Sequence, residues 1–186
     1  ENVASQAGTR QSLISYADSH VPTYGFPTSD ILLTSNLSGN GLEPLIPTGR
    51  LAAKTPAEVD LYLSKMMEYE LAQDPSAVYN VPDKLWQKHI LHFGGGANAQ
   101  EQFQFQNYLK HYEQDLEDTL FGGDVESFYK SVSDPIDPVT LYEVNEYINA
   151  GVSLMTFFGH ASADGFDQNV DDPANWNNKG KYPIVV

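Results

Sequence analysis

His160 is the residue best placed for chemistry. It follows the apolar run Val152 to Phe158 by way of Gly159. A histidine just beyond a buried strand is held by a rigid element yet open to solvent, and its near-neutral pKa suits a general base. Gly159 is expected to allow the sharp turn that frees the ring. The competing reading is a loop histidine satisfied by its surroundings and without a task. Glu101 is the second candidate. It stands three residues after Asn98, where a capping-box carboxylate belongs. It could instead orient His160 by accepting the other ring N–H, the third-group logic of a catalytic triad. Spacing alone favours the cap.

Two further patterns have residue types that could bind a ligand. Gly94-Gly95-Gly96-Ala97-Asn98-Ala99 fits the loose dinucleotide pattern G-x-G-x-x-A, which would set phosphates on a helix N-terminus. The acidic residue expected to end the next strand is absent, since Tyr129-Lys130 stands there. A tight strand-to-helix turn accounts for the same glycines. Asp167, Asn169 and Asp171 mimic the first three ligands of a calcium loop, with Asp164 and Asp172 close by. The pattern then breaks, with Asp172 where glycine is required and Asn178 where the last glutamate belongs. An irregular calcium site and a solvated acidic loop are the readings left. His20, His89, His92 and His111 lack metal-ligand spacing, and a strand through His89 and His92 would point them to opposite faces.

The elements that must position these residues alternate. Residues 1–28 read as an irregular lead-in and 29–186 as a partial α/β domain. Asp30 to Thr34 suggests a short strand, Ser35 to Pro44 a turn, and Leu45 to Ala52 an extended stretch. Thr55, Pro56 and Glu58 open a helix with an N-cap, a first-turn proline and a capping box. Val59, Tyr62, Leu63, Met66 and Met67 give it one apolar face, and Asp74-Pro75 stops it. Gln87 to Phe93 reads as a buried strand, followed by a helix over about 98 to 118 with the face Phe105, Tyr108, Leu109, Tyr112 and Leu116. Asp124 to Lys130 reads as a strand. Asp137-Pro138 opens a helix bearing Leu141, Val144 and Ile148, with Gly151 just past its end. Val152 to Phe158 reads as a central strand covered on both faces, and Tyr182 to Val186 as the last strand. Trp86 and Trp176 are read as packing residues. Strands alternating with helices predict a mostly parallel sheet flanked by helices, with ligands beyond the carboxyl ends of the strands. Gly94–Glu101 and Gly159–Asp172 should therefore meet at one edge.

Composition narrows the function. The 186 residues carry 10 Lys plus Arg against 25 Asp plus Glu, a formal charge of −15. Such a surface repels phosphate backbones and anionic headgroups, so nucleic acid is a poor partner. No stretch reaches the roughly 18 to 20 apolar residues of a membrane span. There is no cysteine, which removes disulfides, thiolate metal sites and a cysteine nucleophile from this stretch of chain.

Taken together the residues resemble the gingipain-type cysteine peptidases. Pro47-Thr48-Gly49-Arg50-Leu51-Ala52-Ala53-Lys54-Thr55, running on to Glu58 and to Tyr69-Glu70, looks like the family's Gly-Arg strand and following helix. Trp86 and Lys88, with the Gly94–Gly96 turn and Glu101, look like the next strand and its edge. Asn149-Ala150-Gly151-Val152 through Phe158-Gly159-His160 looks like the strand leading to the catalytic histidine. Val21 to Asp30 is similar to the type IX secretion branch, which includes its surface sortase.

The resemblance implies a caspase-like α/β fold, incomplete at both ends, with His160 as general base and Glu101 as the acidic group near it. It implies a secreted or cell-surface enzyme acting on polypeptides, with a structural calcium in some members and no required cofactor. In the family the nucleophile is a cysteine at the end of the strand after the histidine loop. The chain therefore looks like a fragment that stops inside that strand, inactive alone and completed by the remainder of its own polypeptide. Gly159 would help to stabilise the oxyanion. The alternatives are an inactive scaffold of a surface secretion system and a nucleotide-binding domain using the glycine turn.

Overall fold

Four parallel strands carry the site, one of them the alternating segment Asp-Val-Glu-Ser-Phe-Tyr. In the computed structural model they are β1 (His89–Gly94), β2 (Asp124–Tyr129), β3 (Leu154–Phe158) and β6 (Ile184–Val185), in the spatial order β2-β1-β3-β6. The structure describes residues 29–39, 41, 43–51, 53–76, 79–131, 138–162, 165–168 and 170–186. The lead-in assigned to residues 1–28, His20, Ala52, Asp137, Asp164 and Asn169 lie outside them. The fold is α/β, as the alternation of elements predicts. The chain divides into two compact units, residues 1–64 and 65–186.

In the first unit Asp30 to Thr34 is not a strand. Ile31–Leu33 form a 3-10 turn, closed by Leu33 N–H donating to Asp30 C=O at 2.9 Å. Ile-Leu-Leu has no apolar–polar alternation to mark one buried strand face. The Asp30 carboxylate instead takes the Arg50 guanidinium with both oxygens, Nε at 2.6 Å and Nη2 at 2.5 Å. Ser35 and Pro44 pair as one antiparallel bridge across the expected turn. The described residues of 45–51 form no strand either. Pro47 lacks the N–H a ladder needs, and Leu45 and Ile46 are exposed.

Helix α1 (Pro56–Gln73) starts and stops where its signals predict. Thr55 Oγ1 accepts the Glu58 N–H at 3.3 Å, and Glu58 reaches back to Lys54 N–H at 2.5 Å. Its apolar stripe does not become core. Val59, Tyr62, Leu63, Met66 and Met67 are all exposed, and the helix buries no residue. The physical reason is that its last turns dock through other side chains. Tyr69 meets Trp86 edge-on at 6.3 Å, and Glu68 accepts the Tyr182 hydroxyl at 2.7 Å.

In the second unit a short helix α2 (Val81–Lys84) and the 3-10 turn Leu85–Lys88 lead into β1, so the strand begins two residues later than expected. The 3-10 turn buries Trp86. Helices α3 (Ala99–Leu116) and α4 (Pro138–Ala150) complete the α/β units. Strand periodicity sorts the two sheet faces. Leu91, Phe93, Phe128 and Met155 meet Val144 and Ile148 of α4 and Val152 in one buried cluster. On the other face Leu109 of α3 is fully buried, with its Cδ1 at Gly94. Strand β3 is central, but only Met155 in it is fully buried.

The polar loop after β3 holds a two-stranded hairpin, β4 (Ala161–Ser162) and β5 (Gly165–Phe166), then a 3-10 turn at Pro173–Asn175. Trp176 packs against the core with its indole N–H on Asn145 Oδ1 at 3.0 Å.

The chain leaves β1 toward β2 on one side and leaves β3 toward β6 on the other. Adjacent strands whose connections depart in opposite directions open a crevice at their carboxyl ends. Gly94 and Phe158 are register partners at that point.

Candidate active site

The strand register brings the two expected segments together. Gly95 N–H donates to Phe158 C=O at 2.9 Å, which locks the turn after β1 to the end of β3. Gly96 has φ +126°, and a Cβ there would stand 2.6 Å from Gln102 N. Only glycine suits that backbone and that closeness. Asn98 caps α3, its side-chain oxygen accepting the N–H groups of Gln100 and Glu101 at 3.1 Å each. Glu101 is thereby fixed in the first turn, facing the end of β3.

Glu101 Oε2 lies 3.0 Å from His160 Nε2 and 2.9 Å from Ala97 N. One carboxylate thus makes the local backbone contact and the ring contact that spacing had left as alternatives. The backbone group it takes is Ala97 N–H, one residue before the N-cap. The hydrogen bond to His160, followed by that to Ala97, holds the Glu101 carboxyl below its ordinary range. The same contact raises the His160 pKa above its ordinary value, with burial opposing and the negative charges of Glu101 and Asp167 assisting. The His160 side chain is 57% exposed, so the ring is open to solvent. Phe105, one helical turn after Glu101, meets the ring edge-to-face at 5.8 Å between centroids.

Asp167 is a neighbour that sequence reasoning placed in a metal site. It enters the crevice between the two loops. Its Oδ2 accepts His160 N–H at 2.8 Å and Gly96 N–H at 2.9 Å, and Lys130 Nζ lies 4.0 Å from Oδ1. Burial would push this carboxyl up, but the two N–H donors and Lys130 outweigh it and hold the pKa below the usual range. Asp171 is engaged elsewhere, accepting Asn145 and Asn175 amides at 3.0 Å each and Asp172 N–H at 2.7 Å. Both carboxylates accept N–H groups of the protein itself, and Asn169, the middle member of the expected calcium set, lies outside the described residues. Among the described residues no group of three His, Asp or Glu side chains is placed to hold a metal ion.

The glycine turn does not offer a phosphate cradle. The N–H groups of Gly95, Gly96, Ala97, Gln100 and Glu101 all have acceptors within the protein. Gly159 answers a different need from the one expected. A Cβ there would lie 3.1 Å from Asp167 Oδ2 and 3.1 Å from Gly95 Cα, so a side chain would press Asp167 and the Gly95 backbone back by a few tenths of an ångström.

Gln168 was missed by the sequence reading. It is 5% exposed, and its amide donates to Gly94 C=O at 2.8 Å and Phe128 C=O at 3.1 Å, tying the ends of β1 and β2. A polar residue in a polar loop gives no sign of being buried.

The arrangement is a carboxylate-oriented imidazole at the carboxyl edge of a parallel sheet, open on one side. Among the described residues no helix is long and apolar enough to cross a membrane. A model of peptidase family C25 matches residues 7–186. No curated protein and no solved structure matches the chain.

Proposed function

Because the chain belongs to peptidase family C25, the gingipain family of cysteine peptidases, we propose that it supplies the general-base half of a cysteine endopeptidase site, acting on polypeptide substrates. The pairing of His160 with Glu101 at 3.0 Å is the observation that carries this reading. Nε2–H donates a hydrogen bond to Glu101, which leaves Nδ1 to take a proton from the nucleophile.

The 186 residues contain no cysteine, so the nucleophile comes from chain outside them. Strand β6 supports a source beyond Val186. It runs parallel to β3 with Met155 opposite Val185, and Phe157 N–H donates to Val186 C=O at 2.8 Å. His160 lies five positions after Met155, so a strand extended in this register comes level with the imidazole five positions after Val185. A thiolate there would attack the scissile carbonyl, and His160 would pass its proton to the leaving amine. Phe157 N–H and Met155 C=O face β6. Continued alternation turns the Gly159 N–H to the same side, toward a developing oxyanion. This chemistry needs no cofactor. The resemblance of Val21–Asp30 to the type IX secretion branch supports a secreted or cell-surface location and a sortase-like member, and these 186 residues alone would not turn over substrate.

Alkylation of the full-length protein tests the reading. Iodoacetamide should abolish peptide cleavage by modifying one cysteine C-terminal to Val186, and His160→Ala should slow that modification. Cleavage that survives complete alkylation would contradict the proposal. A full-length chain with neither a reactive cysteine nor turnover would support a scaffold role instead.

A further inference from the structure

We propose that Asp167 is the positioning residue of this site: its half-buried carboxylate clamps the main chain of His160 and thereby sets where the imidazole stands.

The inference rests on the general-base reading of His160, but its geometry is independent of it. Asp167 grips His160 from both ends of the residue. Oδ2 accepts the His160 N–H at 2.8 Å, and Asp167 N–H donates to the His160 C=O at 2.8 Å. The same Oδ2 takes Gly96 N–H at 2.9 Å. One oxygen therefore joins the loop after β3 to the loop after β1, and Glu101 follows Gly96 by five residues, in the first turn of α3. The imidazole and the carboxylate that orients it are referenced to one point.

Neighbouring residues are shaped around this carboxylate. A Cβ on Gly95 would lie 2.5 Å from Asp167 Cβ, and one on Gly159 would lie 3.1 Å from Oδ2. Two of the glycines at this edge thus leave room for the same side chain. Lys130, 13% exposed at the end of β2, sits 4.0 Å from Oδ1 and offsets the charge. Asp167 itself is only 18% exposed, so its hydrogen bonds are shielded from competing water. A carboxylate engaged by two N–H donors and an ammonium is held in a single rotamer. Proton transfer needs such rigidity, because a base displaced by about 1 Å loses up to about 100-fold in rate.

The test compares Asp167→Ala and Asp167→Asn in the full-length enzyme. The alanine variant should lower kcat about 10- to 100-fold with KM within about twofold. Asparagine keeps one oxygen for the two N–H groups and should recover part of kcat. The ring N–H signal of His160 in NMR, which reports its bond to Glu101, should broaden or vanish in the alanine variant and persist in the asparagine one. Unchanged kcat and an unchanged ring signal would overturn the proposal. So would equal losses in both variants in step with the unfolded fraction. Should neither variant fold, amide exchange in the unmodified protein decides: the His160 and Gly96 amides should be protected well beyond exposed loop amides, and free exchange at either would refute the clamp. The ring signal and amide exchange need no catalysis. If His160→Ala retains activity, the general-base reading fails while these two measurements still judge the clamp.

Discussion

Glu101 Oε2 stands 3.0 Å from His160 Nε2, so the carboxylate meets one ring nitrogen and leaves Nδ1 outside this contact. An ionised carboxylate only accepts hydrogen bonds, so Nε2 carries the proton and Nδ1 of the neutral ring is the acceptor. Helix α3 makes the contact possible. Its N-terminus is fixed by Asn98, and Glu101 and Phe105, four residues apart on one helix face, meet the ring from two directions.

Replacing that carboxylate shifts the base. Glu101→Gln keeps an acceptor for Ala97 N–H but removes the carboxylate whose hydrogen bond, and then whose charge, raises the His160 pKa. The pKa should fall toward the ordinary imidazole range. An NMR titration of His160 should show this decrease, and kcat should drop about tenfold or more. An unchanged titration would show that Glu101 does not tune the ring.

The turn after β1 should be intolerant of any side chain. Gly96→Ala puts a Cβ at φ +126° and 2.6 Å from Gln102 N. The backbone strain costs about 1 to 3 kcal/mol, and relief of the clash moves the first turn of α3, and Glu101 with it. Thermal unfolding should show the loss of stability, and the ring N–H signal of His160 should weaken. A variant with unaltered melting and ring signal would mean that the turn yields freely.

Acid should destabilise the fold through His92. This residue is fully buried in β1, and neither ring nitrogen has a hydrogen-bond partner among the described residues. Burial lowers its pKa, with Glu113 and Glu117 opposing. The folded pKa lies below the unfolded value, so the unfolded chain binds more protons as pH falls below about 6.5, and stability is lost in that direction. The loss is at most roughly 2 kcal/mol between pH 6.5 and 5. His92→Leu should flatten the dependence in urea unfolding across that range. An identical slope in both proteins would assign the acid response to other groups.

The alternation of helix and strand was legible because apolar runs and caps are local signals. Thr55, Pro56 and Glu58 start α1, Asn98 starts α3, and Val152 to Phe158 contains β3. The meeting of Gly94–Glu101 with Gly159–His160 followed from the rule that parallel strands present their carboxyl ends together. What escaped the sequence depends on contacts distant along the chain. Asp167 looked like a calcium ligand because its spacing to Asp171 is visible, whereas the N–H groups that occupy it come from residues 96 and 160. Gln168 was hidden for the same reason. The stripe of α1 read as core because periodicity reports amphipathicity and not the surface that a helix will meet. Ile31–Leu33 read as a strand because three apolar residues are too few for a period.

The most direct measurement of the central claim is kcat/KM of full-length enzyme and His160→Ala on one peptide substrate. His160→Ala should lose about 10,000-fold or more with the fold intact, since the base and its nucleophile act as a unit. Activity retained within about tenfold would contradict it and remove His160 from the reaction.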